Sequence, residues 1–161
     1  MTRVFFDMDG VLAEYKFVPF EELLKKGYFI NLKPQEEVVR AILKLANNPN
    51  FEVHTLSAVL PENPYAVEEK TAWLEQYVQP KIHNITPIFV NCGEDKASAV
   101  PGGIRPSDIL IDDYNANLYA WAKNAKAIKL LNGVNHRHGS WKGVVAEKNT
   151  DSIVNTIFSV A

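Results

Sequence analysis

Cysteine is nearly absent from this chain: among its 161 residues only Cys92 is one. No intrachain disulfide can form, and a cytoplasmic setting is the expectation for such a composition. Long apolar runs are missing too. None approaches the roughly 20 residues that a membrane-spanning helix needs, so no membrane association is expected. The first residues, MTRVFFDMDG, carry no signal-peptide pattern, because acids interrupt the short apolar stretch at once. A basic surplus is also lacking. The net charge is −2, whereas a protein that coats a nucleic-acid polymer needs an excess of lysine and arginine. Small charged substrates remain compatible, since a local site need not follow the global balance. Repeats, low-complexity tracts and linkers are not found, so residues 1–161 read as one domain. What is present is 47% hydrophobic, enough for a proper core.

Short apolar runs alternate with segments of helical period. RVFF (3–6), FEVHTL (51–56), PIFV (87–90), DILI (108–111) and AIKLL (127–131) read as buried strands. Between them, residues 35–46 place Val38, Val39, Ile42, Leu43 and Leu45 on one helix face. Residues 63–78 begin with Asn63 as N-cap and Pro64 at the first helical position. Residues 114–125 read as a third helix, and 150–160 as a closing one with Thr150 as its cap. This alternation predicts a Rossmann-like α/β fold: three α/β/α layers around a parallel sheet of about five strands.

Open sheets of this kind bind ligands beyond the carboxyl ends of their strands, where strand order reverses. The residues after each strand are therefore the informative ones. Asp7, Asp9 and Gly10 follow the first strand, and Ser57 and Ala58 the second. Lys96 follows the third by several residues, and Asp112 and Asp113 follow the fourth. Converging carboxylates make a hard, oxygen-rich site that suits Mg²⁺, which takes one or two carboxylates plus phosphate oxygens. Asp7 and Asp112 meet that need. Lys96 would add charge and Ser57 a hydrogen bond to a phosphoryl group, with backbone N–H groups near Gly10 and Ala58 cradling further oxygens. An aspartate can act as nucleophile through an aspartyl-phosphate. Asp7 and Asp9 are then the catalytic pair, Asp9 protonating the leaving oxygen and later activating water.

DMDGVLAEY resembles the first motif of the haloacid dehalogenase-like (HAD-like) phosphohydrolase superfamily. HTLSAV resembles the second motif, Lys96 fits the third, and DILIDDYNANL fits the acidic fourth. The four occur in the superfamily's order. The resemblance implies Asp7 as nucleophile and Asp9 as general acid/base that also binds Mg²⁺ through its carbonyl. It implies Asp112 as an acidic metal ligand and Asp113 as a supporting acid. Within the superfamily the sequence is most similar to the 5′(3′)-deoxyribonucleotidase-like branch, on GYFINLKPQEEVVRAI, DILIDDYNANLYAW and KLLNGVNHRHGSWKG. Hydrolysis of a nucleoside monophosphate is thereby implied. That branch carries a sizeable helical cap, whereas only residues 13–34 fill its place here, enough for one short helix and a loop. Tyr15, Phe17, Phe20, Tyr28 and Phe29 of this insert are candidates for stacking on a base, worth about 1–3 kcal/mol per base.

Other readings compete. A HAD-like phosphatase for another small phosphomonoester, or for a larger substrate, fits the same motifs. A receiver-type phospho-accepting domain uses similar residues but places its acidic pair on the first strand. The loop NHRHGSWKG (135–143) gathers His136, Arg137, His138 and Lys142, without the spacing of a zinc site. It could guide phosphate or base, or lie in solvent. His54 reads as a hydrogen-bonded strand residue, and Cys92 as a small packing residue. Trp73 and Trp121 fit helix faces on the sheet. Trp141 reads as exposed and open to a ligand or a second copy of the chain in a homo-oligomer.

Overall fold

Val4 and Phe6 of the first strand, β1 (Thr2–Phe6), enter one hydrophobic cluster and Phe5 enters another. Side chains on a strand alternate between faces, so this split sets up a sheet covered on both sides. The computed structural model describes residues 1–82, 85, 87–135 and 139–161. Further strands are β2 (Phe51–Val59), β3 (Pro87–Asn91), β4 (Ile109–Asp112), β5 (Lys126–Leu131) and β6 (Val144–Glu147). All pairings are parallel, in the order β3-β2-β1-β4-β5-β6. The chain leaves β1 first in one direction and then in the other, so the order reverses between β1 and β4.

The helices are α1 (Phe20–Leu23), α2 (Glu36–Ala46), α3 (Ala66–Tyr77), α4 (Asn115–Trp121) and α5 (Thr150–Val160). Ile42 and Leu45 of α2, Trp73 and Leu74 of α3, and Ile153 and Ile157 of α5 share the cluster of Val4 and Phe6. Leu118 and Trp121 of α4 join Phe5 and Leu110 on the other side. Burying side chains of this size contributes roughly 1.5–3 kcal/mol each. The three-layer α/β/α architecture is the expected one. Among the described residues no helix is long and apolar enough to cross a membrane.

Local details depart from expectation. The sheet has a sixth strand, β6, whose only buried residue is Ala146. Four residues at an edge carry too little apolar pattern to announce a strand. Ser57 and Ala58 lie within β2 rather than after it. Asn63 does not cap α3. Its Oδ1 accepts from the Tyr65 amide at 2.7 Å, an Asx turn that ends before the helix starts at Ala66. At α5 the cap is Asn149, which accepts from the Ser152 amide, while Thr150 is helical and its hydroxyl donates to the Glu37 carbonyl at 3.0 Å. Helix α4 stops at Trp121, where residues 122–125 turn into β5. Trp141 is buried, not exposed: its ring packs on Tyr119 at 5.1 Å and its Nε1 donates to the Val144 carbonyl.

The insert is tied down at both ends. The Ala13 amide donates to Met8, the Glu14 amide to Lys33 and the Gln35 amide to Leu12, at 2.8, 2.9 and 2.7 Å. Residues 13 and 34 thus meet beside Asp9, and everything between them overhangs the carboxyl edge of β1.

Candidate active site

Residue 7 is where β1 runs out, and its amide still donates to the Ile111 carbonyl at 2.9 Å. That last bond places Asp7 beside Asp112, the final residue of β4, at the reversal of strand order. One carboxylate oxygen each from Asp7, Asp112 and Asp113 lie within 4.8 Å of one another, and all three residues are buried. Lys96, at the start of a 3₁₀ turn (Lys96–Ala99), reaches into this group. Its ammonium lies 2.8 Å from Asp7 Oδ1, 2.7 Å from Asp112 Oδ2 and 3.0 Å from the Leu56 carbonyl. The three donors of Lys96 are thereby used.

Each acid is further fixed. Asp7 Oδ1 also accepts from the Met8 amide at 2.7 Å, so both polar contacts of the carboxylate fall on one oxygen and Oδ2 is left for chemistry. Asp112 accepts from the Tyr114 amide and from Asn117 Nδ2 at 2.8 and 2.9 Å. Asp113 Oδ2 accepts from Asn132 and Asn135 at 2.9 and 2.5 Å. Gly10 makes room for that carboxylate. A Cβ there would lie 2.4 Å from Asp113 Oδ2, and its φ of +78° suits glycine. The Gly10 amide is bonded to the Ala13 carbonyl at 2.9 Å. In this structure the glycine's visible contribution is close approach rather than a free donor.

Crowding of acids in a buried place raises proton affinity. Burial pushes Asp7 up to about 8; Lys96 opposes the rise, and Asp112, Asp9 and Asp113 reinforce it. Asp113 rises to about 6 through burial and Asp112, against its bonds from Asn135 and Asn132. Burial works against the Lys96 ammonium, yet Asp112 and Asp7 outweigh it and hold its pKa above the ordinary lysine value.

When all three carboxylates are ionised, the single ammonium in contact leaves two negative charges in the buried cluster. Lys129 binds the Asp113 carbonyl, not its carboxylate. A deficit of two, surrounded only by oxygen donors, fits a hard divalent cation such as Mg²⁺. The cluster includes Asp113 as well as Asp7 and Asp112. The Asp9 side chain is not part of it.

Asp9 faces the other way. Its Oδ2 accepts from Lys70 on α3, and its Oδ1 is buried with no partner among the described residues. Lys70 also donates to Ser57 Oγ at 2.9 Å and the Ala58 carbonyl at 2.7 Å. The sequence reading missed Lys70, which sits within an acidic, unremarkable helix and follows no strand; its single signal is a lysine on the buried face next to Trp73. Next to Asp9 a pocket of about 190 Å³ opens under the insert, lined by Leu23, Tyr28, Phe29, Leu32 and Leu60. A second hollow of about 240 Å³ holds Asp7, Asp9, Asp113 and Tyr114, with Tyr15 and Phe17 at its side.

Remaining candidates fall elsewhere. Phe20 is half-exposed on α1 and lines neither hollow. His136, Arg137 and His138 lie outside the described residues, and Lys142 is exposed. His54 stacks on Phe5 at 4.9 Å, and burial lowers its pKa. Cys92 is exposed beside the apolar pocket rather than packed in the core, and its amide donates to the Val59 carbonyl at 2.8 Å.

Sheet order and helices on both faces make this a Rossmann-like three-layer α/β fold, with the acids at its reversal point. Among solved structures, the chain is similar to the D,D-heptose 1,7-bisphosphate phosphatase of Burkholderia thailandensis. The TM-score is 0.68 at 13% identity, over 100% of this chain and 99% of that one. No family model matches the chain, and no curated protein sequence matches it.

Proposed function

We propose that the protein is a Mg²⁺-dependent phosphomonoester hydrolase that works through a phosphoaspartate on Asp7, with a nucleoside monophosphate as substrate. The observation that carries this reading is the buried cluster of Asp7, Asp112 and Asp113 with Lys96 at the reversal of strand order. The likeness in fold to a sugar-bisphosphate phosphatase supports the reaction class.

Asp7, Asp112 and Asp113, with the Asp9 carbonyl, are the groups that would hold the ion. Bound there, Mg²⁺ supplies positive charge to the phosphoryl oxygens and to the nucleophile. Asp7 Oδ2 attacks phosphorus, the bond to the leaving oxygen breaks, and Asp9 gives that oxygen a proton. Water then attacks the phosphoaspartate, Asp9 takes the water's proton, and the bond to Asp7 breaks to release inorganic phosphate. Ser57 Oγ already accepts from Lys70, so its own proton is available to a phosphoryl oxygen. Lys96 can exchange one of its contacts for another such oxygen while keeping the rest.

The apolar pocket beside Asp9 supports a leaving group with a ring. Tyr28 offers a ring to a base beside the apolar Leu23, Leu32 and Leu60, while Asp9, Glu14, Lys16 and Lys70 supply the charged part of the lining. A substrate panel with Mg²⁺ tests both levels. Deoxynucleoside and ribonucleoside monophosphates, sugar phosphates and an aryl phosphate are compared by kcat/KM. Faster hydrolysis of a nucleotide than of the aryl phosphate is expected. If none is faster, the nucleotide assignment fails; if nothing is hydrolysed, so does the reaction class.

A further inference from the structure

Lys70 is the buried cation that the reaction scheme leaves without a task. Its residue is 1% exposed, and an ammonium in such a place must satisfy all three of its protons. It does so on Asp9 Oδ2, Ser57 Oγ and the Ala58 carbonyl. The remaining side is covered by the Phe29 ring, whose centroid lies 4.6 Å away. With its donors used and its open side closed, the ammonium has no direction left from which to bind a phosphoryl oxygen. What it can do is fix the two side chains it holds.

The neighbouring residue secures the cover. Glu69, also buried, accepts from the backbone amides of Gly27, Phe29 and Ile30, the last two at 3.0 and 3.4 Å. These bonds clamp one turn of the insert onto α3 and hold Phe29 over Lys70. Two consecutive residues thus serve both sides of the pocket: Glu69 grips the insert, and Lys70 grips the edge of the sheet.

We propose that Lys70 is a positioning residue that orients the Asp9 carboxylate toward the leaving group. The proposal rests on the phosphomonoesterase reading above, in which Asp9 moves the proton. A carboxylate held at one oxygen by a buried ammonium presents its other oxygen in a fixed direction. Without Lys70 it turns over a broad range of its terminal torsion, and proton transfer loses alignment.

The test is a double-mutant cycle in full-length protein with Mg²⁺. Lys70→Met and Asp9→Asn are made singly and together, and kcat/KM is measured on an alkyl phosphate and on p-nitrophenyl phosphate. A good leaving group needs no proton, so Lys70→Met is expected to lower kcat/KM at least tenfold more on the alkyl ester. Its effect should disappear in the Asp9→Asn background. Lys70→Gln, which keeps two N–H donors, should recover part of the loss and serves if the methionine variant folds poorly. Equal losses on both esters, multiplicative losses in the double variant, or a change confined to KM would overturn the role of Lys70 while the phosphatase reading stands. Wild-type protein inert toward every phosphate ester would overturn both.

Discussion

Metal-free protein should lose stability as pH rises from 5 to 7, against the usual behaviour of a protein whose carboxylates are salt-bridged. The perturbation is a pH series in a chelator. In the native state Asp7 keeps its proton up to about pH 8, and Asp113 to about pH 6, whereas both lose it near pH 4 once unfolded. Over this interval the native state binds more protons than the unfolded state, so the slope of stability against pH is negative. Each such proton is worth roughly 1.4 kcal/mol per pH unit, so Asp7 alone costs about 3 kcal/mol between pH 5 and 7. For a chain of this length that is a fall in melting temperature of about 6–12 °C. Mg²⁺ at a few millimolar should reverse it, because the ion binds the ionised cluster and competes with the same protons. The assay is thermal unfolding followed by circular dichroism, with chelator and with Mg²⁺, at half-unit steps of pH. The metal-induced gain should grow from pH 5 to pH 8. Stability that climbs with pH in the chelator, or an equal gain from Mg²⁺ at both ends, would refute the reasoning that the cluster is a proton-or-metal site.

Asp7→Asn should abolish turnover and, in chelator at pH 8, raise the melting temperature, since it removes one of the mutually repelling charges. Residual wild-type activity in that variant would exclude Asp7 as nucleophile. Asp9→Asn should lower kcat by about 10²–10⁴ on a poor leaving group, and should also lower the melting temperature, since it takes the carboxylate from the buried Lys70 ammonium. Asp112→Asn should raise the Mg²⁺ concentration needed for half-maximal activity; an unchanged requirement would move that ligand role to Asp113. Gly10→Ala must move a Cβ away from the Asp113 carboxylate and accept a left-handed backbone, at about 1–3 kcal/mol. It should weaken Mg²⁺ binding in a titration followed by melting temperature.

The fold was legible because burial on both faces forces apolar runs onto parallel strands. β1, β4 and β5 stand out for that reason, and α2 and α5 for their amphipathic spacing. The site was legible where its residues end those strands. Asp7 and Asp112 interrupt apolar runs in VFFD and ILID, and such a break of local pattern has no reason within the core. β6 has no such signature: an edge strand buries little and can be written with almost any residues. Lys70 and Glu69 were hidden for the opposite reason. In AVEEKTAWLEQY the charges look like a solvated helix face, and only the folded position of the insert shows that two of them are buried. Trp141 was misjudged because polar neighbours such as His138, Ser140 and Lys142 describe the loop, not the ring beneath it.

On the proposed function, substrate choice would rest on a short segment, and the way that segment is attached bears on the consequence. A separate cap domain could open and close as a body. Here residues 13–34 are closed at the base by bonds among Met8, Leu12, Ala13, Glu14, Lys33 and Gln35, and held midway by Glu69. Trp73 adds a bond from Nε1 to the Leu32 carbonyl at 2.7 Å. With ends and middle fixed to β1 and α3, the least tethered part is the stretch from Tyr15 to Phe20, of which Tyr15 and Phe17 are exposed at the rim of the hollow holding Asp7. On the proposed function, discrimination between substrates would divide in two. The inner pocket, between Phe29 and Leu60, is backed by the bonds of Glu69 and Trp73 and would select by shape beside Asp9. The rim, at Tyr15 and Phe17, would act on whatever part of the substrate extends beyond the pocket.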